Sequence, residues 1–353
     1  MRNPFFSKPP FSQPLLFFFH PWTLAVVIWM CMVAPGCAVF HGAGTSATGV
    51  IKPGAPWVDD QGHQIQAHGG GIIKIGKLYY WFGEYRGRDV EPGYRYVGCY
   101  SSPDLAHWTY RNKIRFSAPQ GFRPDRWVLE RPKVFYNAAT GKYVMYFHLD
   151  TGNYSAAELG VAVSGRIDSG YKIVRHFRPF GMESRDIGQF IDDDGQAYLI
   201  FESRPTHGFV IARLSEDYLD VAQKVCLIKE PIEGGALVHY HGLYYMIGSH
   251  LTGWKPNPNL YATAPSLAGP WSSFRDIAPP AANTYGSQST MMLKVEGSRD
   301  TTVIFMGDIW KPATQWDSRY LWMPLQIRGT DLVLPKPAPW KINIRTGKYS
   351  LVR

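Results

Sequence analysis

Residues 76–84, "GKLYYWFGE", decide how the whole chain is read, because the same phrase returns four more times. It comes back as "GKYVMYFH" (141–148), "GQAYLIFES" (195–203), "GLYYMIGSH" (242–250) and "TTVIFMGD" (301–308). Each copy follows another apolar run: "GGGIIKI", "RPKVFYN", "GQFIDDDG", "GGALVHYH" and "QSTMMLKV". Turn formers such as "NAATG" and "DDDG" between the two halves are the chemistry of antiparallel hairpins. A third strand and a turn such as "SPDLAHW" or "APSLAGPW" complete a unit of roughly fifty to sixty residues, near the upper end of blade periods. No segment longer than a few residues has helical periodicity, and 27 Pro with 35 Gly imply many turns. The expectation is an all-β chain forming one five-bladed β-propeller over residues 41–353, since a β-sandwich has no need of a five-fold hairpin.

Composition narrows the function classes. Aromatics supply 15% of the residues and charged groups only 18%, which suits ring-lined sugar grooves as well as an aromatic β core. The 37 cations against 28 anions are scattered, so no nucleic-acid groove is expected; a weak basic bias also suits anionic polysaccharide surfaces. Residues 14–40 hold the long apolar run and follow Arg2 and Lys8. Residues 1–40 therefore read as a signal peptide or N-terminal membrane anchor, with Cys37 in "APGC" a candidate for lipidation, and the protein as secreted or attached to the cell envelope. Beyond that segment only Cys99 and Cys226 remain, too few for a disulfide framework and without metal-ligand spacing.

In a propeller the first strand of every blade lines the central channel, so residues at those starts converge despite their distance in sequence. Here the starts read His68, Glu130, Asp186, Glu233 and Gln288, spaced 47 to 62 residues apart. Any one of them can be a turn cap or a satisfied core group. Five polar starts together are harder to dismiss, because grouped buried carboxylates push one another's pKa values upward.

"SRDIGQFIDDDGQAYLIFES" followed by "IEGGALVHYHGLYYMIGS" resembles glycoside hydrolase family 43. "AHGGGI", "YYWFGE", "LERPKV", "LTGW" and "YGSQSTMM" resemble more closely its branch containing exo-β-1,3-galactanases, over about residues 50–340. The resemblance implies Glu233 as general acid, with Asp186 orienting it and raising its pKa. Conventional inverting members hold a first-blade Asp to activate water, about 6.5–9.5 Å from the acid. Here that position is His68 in "HGGG", as the galactanase branch likewise lacks the Asp, and the glycines are read as letting the backbone approach the sugar. That branch implies Gln288 for the water, through an imidic tautomer or a proton relay; Glu130 is the rival, otherwise a grip on sugar hydroxyls. Glu84, His68, Tyr154, Glu202, Thr252, Trp254 and Asn257 are the expected substrate contacts, while Tyr80, Trp81, Tyr244 and Tyr245 are expected in the core. The loop after the third hairpin, "ESRPTHGF", departs from the asparagine-bearing segment of fungal galactanases and leaves contacts beyond the first sugar open.

The leading expectation is an inverting exo-glycosidase acting on β-1,3-galactan or arabinogalactan oligosaccharides, needing no cofactor and no metal. An arabinofuranosidase or β-xylosidase of the same family is the enzymatic alternative. A catalytically silent, glycan-binding propeller is the other. The tail "PKPAPWKINIRTGKYSLVR" is expected to close or brace the ring, and the only membrane attachment expected is through the N-terminal segment.

Overall fold

The computed structural model describes residues 49–352, so the leader or anchor expected over 1–40, and Cys37, lie outside the described residues. Five antiparallel sheets follow one another along the chain, each built from a contiguous segment. Blade 1 comprises His68–Ile75, Leu78–Glu84, Tyr94–Ser102 and Thr109–Ser117. Blade 2 comprises Trp127–Asn137, Lys142–Thr151, Glu158–Ser164 and Lys172–Phe177. Blade 3 runs through Ile187–Ile191, Ala197–Ser203, Gly208–Leu214 and Val221–Ile228, and blade 4 through Ile232–Tyr240, Leu243–His250, Asn259–Ala264 and Arg275–Asp276. Blade 5 has three strands, Gln288–Glu296, Thr301–Ile309 and Arg319–Pro324. Helical structure among the described residues is confined to short 3-10 turns.

The first strands of neighbouring blades pack against one another, and that of blade 5 returns to that of blade 1, which closes the ring. Period-2 strands bury both faces here, because each sheet is sandwiched between two others. One apolar layer therefore lies between blades 1 and 2, another between 2 and 3, another between 3 and 4, and a continuous one across blades 4, 5 and 1. Trp81, Trp108, Trp322 and Tyr320 crowd that last layer with ring centroids 4.6 to 6.0 Å apart. Tyr80, Trp81 and Tyr245 are buried as expected, and Tyr244 is half-buried with its hydroxyl on Asp192. The chain's aromatic wealth thus goes mainly into the core. Cys99 and Cys226 are free thiols.

The C-terminal tail forms a hairpin, Trp340–Asn343 with Lys348–Leu351. Trp340 is fully buried, bonds through Nε1 to the Trp322 carbonyl at 2.8 Å, and pairs with Ile51 in an isolated antiparallel bridge.

Candidate active site

Each first strand begins on the same face of the ring, and the chain bends there. His68, Glu130 and Glu233 are each followed by a residue with left-handed backbone: Gly69 (φ 56°), Arg131 (φ 50°) and Gly234 (φ 64°). The strand register slips at the same three points. Such bulges turn a side chain out of the sheet plane, which is how a strand start is aimed down a channel. Asp186 stands one residue before its strand, and Gln288 opens its own.

Four of the five starts meet in one pocket of about 140 Å³, lined by Glu84, Glu130, Arg131, His148, Tyr154, Arg185, Asp186, Arg204, Glu233, Gly253, Trp254, Gln288 and Trp310. Beneath it the channel is filled by Lys133 and Gln189, both buried, so the pocket is blind. The Lys133 ammonium donates to the Gly69 carbonyl at 2.6 Å, and burial and the neighbouring Arg131 charge pull its pKa down to about 7. A larger hollow of about 540 Å³, between residues 50–60 and 103–109, contains none of the strand-start residues. Size alone does not locate the chemistry.

Arg131 is the hub of the pocket floor, and the sequence reading passed over it. Its Nε lies 2.8 Å from Asp186 Oδ1, its Nη2 donates to Gln288 Oε1 at 2.6 Å, and its backbone N–H donates to Glu84 Oε1 at 2.9 Å. Trp310 Nε1 donates to the same Gln288 oxygen at 3.0 Å. The Gln288 amide nitrogen then faces the other way, donating to Glu233 Oε1 and to Ser249 Oγ, each at 3.0 Å.

Glu233 is 6% exposed, and burial, with the charges of Asp186 and Glu202 behind it, pushes its pKa up to about 8. Carboxylate oxygens of Asp186, Glu202 and Glu233 lie within 4.8 Å of one another. This is closer than the separation that leaves room for a water between two catalytic carboxyls. Such a trio can also seat a cation, but Arg131 and Arg204 already bring two guanidinium groups to it. A second trio, Asp192 and Asp193 from the first hairpin of blade 3 and His239 from the first strand of blade 4, has Lys294 on Asp193 at 2.6 Å.

Glu130 is the opposite case. Burial alone raises its pKa, but the His148 imidazolium 3.4 Å from its Oε2, the Arg86 charge and the Tyr154 hydroxyl at 2.8 Å outweigh it and hold the group at about 2. Asp150, 2.8 Å from His148 Nε2, helps keep that imidazole protonated, with a pKa up to about 9 against the opposing effect of burial. Glu130 is therefore a standing anion and a poor base. Glu84, bonded to Arg86, is raised above the usual carboxylate range, burial being the main cause.

Four expectations need correction. His68 does not reach the pocket: it is fully buried, 3.0 Å from Asp308, and stacked on Tyr320 with centroids 4.8 Å apart. The adjoining glycines serve packing rather than an approach to sugar; a Cβ on Gly69 would stand 2.6 Å from Glu84 Oε1, and one on Gly71 2.6 Å from Gln189 Oε1. Thr252 and Asn257 brace a loop, Asn257 bonding the His250 N–H and carbonyl and the Thr252 hydroxyl, and that loop presents Trp254 to the pocket. Glu202, 2% exposed, meets the pocket through Arg204, which its Oε1 holds at 2.7 Å.

Two of the missed residues, His148 and Ser249, do have a sequence signal. Each strand start faces the polar end of the next strand: His68 pairs with Glu84, Glu130 with His148, Glu233 with Ser249 and Gln288 with Asp308. In blade 3 the Asp186 carbonyl accepts from the Glu202 N–H at 3.0 Å. A second ring of polar residues, at the ends of the five quoted phrases, thus supports the first.

The fold has relatives among solved structures. An exo-β-1,3-galactanase from Phanerochaete chrysosporium, in a glutamate-to-glutamine variant with β-1,3-galactotriose, superposes with TM-score 0.79 at 38% identity, over 86% of this chain and 71% of that one. The same enzyme with galactose superposes with TM-score 0.79 at 39% identity, over 86% and 71%. An exo-β-1,3-galactanase from Clostridium thermocellum gives TM-score 0.79 at 36% identity, over 86% and 68%. No curated protein sequence matches. The model of the glycosyl hydrolases of family 43 matches residues 69–296, a span that runs from the first bulge to the end of the strand opened by Gln288, and the chain belongs to that family.

Proposed function

We propose that this protein is an inverting exo-β-1,3-galactanase that releases galactose from the end of β-1,3-galactan, the backbone of arabinogalactan. One observation carries the reading: Glu233, held protonated with a pKa of about 8, hydrogen-bonds Gln288 at the floor of a blind pocket. The galactanases it resembles support the sugar and linkage.

In this reading Glu233 gives its proton to the glycosidic oxygen as the bond from that oxygen to C1 breaks. Asp186, held by Arg131 and by the Gly234 N–H at 2.9 Å, orients the acid and keeps it protonated. Gln288 orients the attacking water. Two N–H donors already occupy its Oε1, which favours, over an amide that carries a hydroxyl, a relay in which the proton lost as the water bonds C1 ends on the Glu233 carboxylate, which lies on Gln288 Nε2 at 3.0 Å and has just given its own proton to the leaving oxygen. Glu130 and Glu84 accept hydrogen bonds from sugar hydroxyls, and Tyr154 and Trp254 offer apolar faces. Export to the envelope or the medium belongs to the same reading, on the apolar run of residues 14–40, and cell fractionation checks it.

Proton NMR of residues 41–353 with β-1,3-galactotriose tests the proposal. Early α-galactose signals are expected, giving linkage and inversion together. Early β-galactose refutes inversion, and no galactose at any enzyme concentration refutes the substrate.

A further inference from the structure

Five loops crown the pocket, one after the second strand of each blade: residues 85–93, 152–157, 204–207, 251–258 and 310–318. Their charges do not balance. The three carboxylates in them are all engaged, Asp89 with Lys113, Glu91 with Arg115, and Asp317 with Lys311 and Arg319. Among the described residues, Arg88 and Lys255 are exposed and have no carboxylate partner; Arg88 lies over the Trp316 ring, 3.8 Å from its centroid.

Arg204 is the cation of these loops that reaches the acid. It opens the short turn Arg204–Thr206. Its Nε donates to Glu202 Oε1 at 2.7 Å and its Nη2 lies 3.5 Å from Glu233 Oε2, while Nη1 bonds to nothing among the described residues. Half of the side chain is exposed, at 50%. Glu233 must direct its proton at the glycosidic oxygen, so a group beyond that carboxyl on the open side stands beside the departing sugar. A guanidinium with one edge anchored and the other free presents a planar pair of donors, the geometry that grips carboxylates and sulfates.

We infer that the leaving-group side of the pocket recognises an anionic substituent, a carboxylate or a sulfate ester, on the departing galactan unit, with Arg204 as the specificity-determining residue. This rests on the galactanase reading. Neutral hydroxyls can use the same donors, but they gain nothing from the surplus charge of the rim. Only an anion makes cleavage sensitive to both salt and Arg204.

The test compares kcat/KM for β-1,3-galactobiose, the same disaccharide bearing a β-1,6-linked glucuronate on its reducing galactose, and the same disaccharide 6-sulfated there, at about 20 mM and about 300 mM NaCl. One or both anionic substrates should be favoured by about three- to tenfold at low salt. That advantage should shrink at high salt, and in Arg204→Gln the ratio should fall to about one whatever happens to the absolute rates. Preference for the glucuronate alone identifies a carboxylate ligand, and preference for the ester alone a sulfate. Equal or faster cleavage of the neutral disaccharide, or an advantage indifferent to salt, overturns the inference and leaves the galactanase reading standing. If none of the three releases galactose, both fall.

Discussion

Glu233 keeps its proton because burial and the carboxylates of Asp186 and Glu202 outweigh the pull of Arg131 and Arg204. The protonated form is the working form of an acid, so kcat/KM should hold up to about pH 8 and fall above it. Glu233→Gln keeps the shape but has no proton to give; it should lose about two to four orders of magnitude in kcat and lose the alkaline limb with it. Near-normal turnover in that variant would remove Glu233 from the role. The two candidates for the water separate as cleanly. Glu130, at a pKa of about 2, has little affinity for a proton, so Glu130→Gln should raise KM and leave most of kcat. Gln288→Ala should lower kcat by about two to four orders of magnitude instead, and the reverse pattern in the pair would make Glu130 the base. The sequence named all four of these groups through their blade spacing. It could not say which way each side chain points, which is why His68 entered the list of contacts and Arg131 did not.

At the scale of single elements, the bulge at the starts of blades 1, 2 and 4 is the device that turns a repeated hairpin into a site. Gly69 and Gly234 meet its left-handed backbone without strain, whereas Arg131 adopts the same φ with a full side chain, a conformation costing about 1–2 kcal/mol that the surrounding hydrogen bonds hold in place. Gly69→Ala should therefore do two things at once. It should destabilise the fold by about 1–2 kcal/mol from the backbone alone, and it should raise KM by displacing the Glu84 carboxylate that a Cβ would meet at 2.6 Å. Denaturant melts and steady-state kinetics check the pair; unchanged KM would mean that Glu84 makes no use of its present position. The five strand pairs were legible in the sequence because a hairpin is a local structure, set by alternation and turn residues. The bulges were not, since a register slip shows only when the partner strand is in place.

The propeller is held shut by its inner strands and by the lead-in at Ile51 paired with the C-terminal hairpin. His68 bonding Asp308, Thr290 Oγ1 bonding the Gly70 carbonyl at 2.7 Å and Ala67 N–H bonding the Tyr320 hydroxyl at 2.8 Å stitch blade 1 to blade 5, and the Ile51–Trp340 bridge ties the lead-in to the C-terminal hairpin. Trp340→Ala should cost about 3–5 kcal/mol, seen as a lower Tm, because it empties a fully buried site and orphans the Trp322 carbonyl. A Tm unchanged within error would show that the hairpin only decorates the ring. By itself the sequence determined the five-fold hairpin, the all-β ring and the set of polar strand starts, because period, turn chemistry and composition are properties of neighbours along the chain. Only the tertiary structure decided that Arg131 joins Asp186 to Gln288, that His148 holds Glu130 charged, that Arg204 leans on the acid and that His68 is buried. Those outcomes depend on side chains brought within hydrogen-bonding distance by ring closure, and on the loss of water around them, and neither is written in the spacing of residues along the chain.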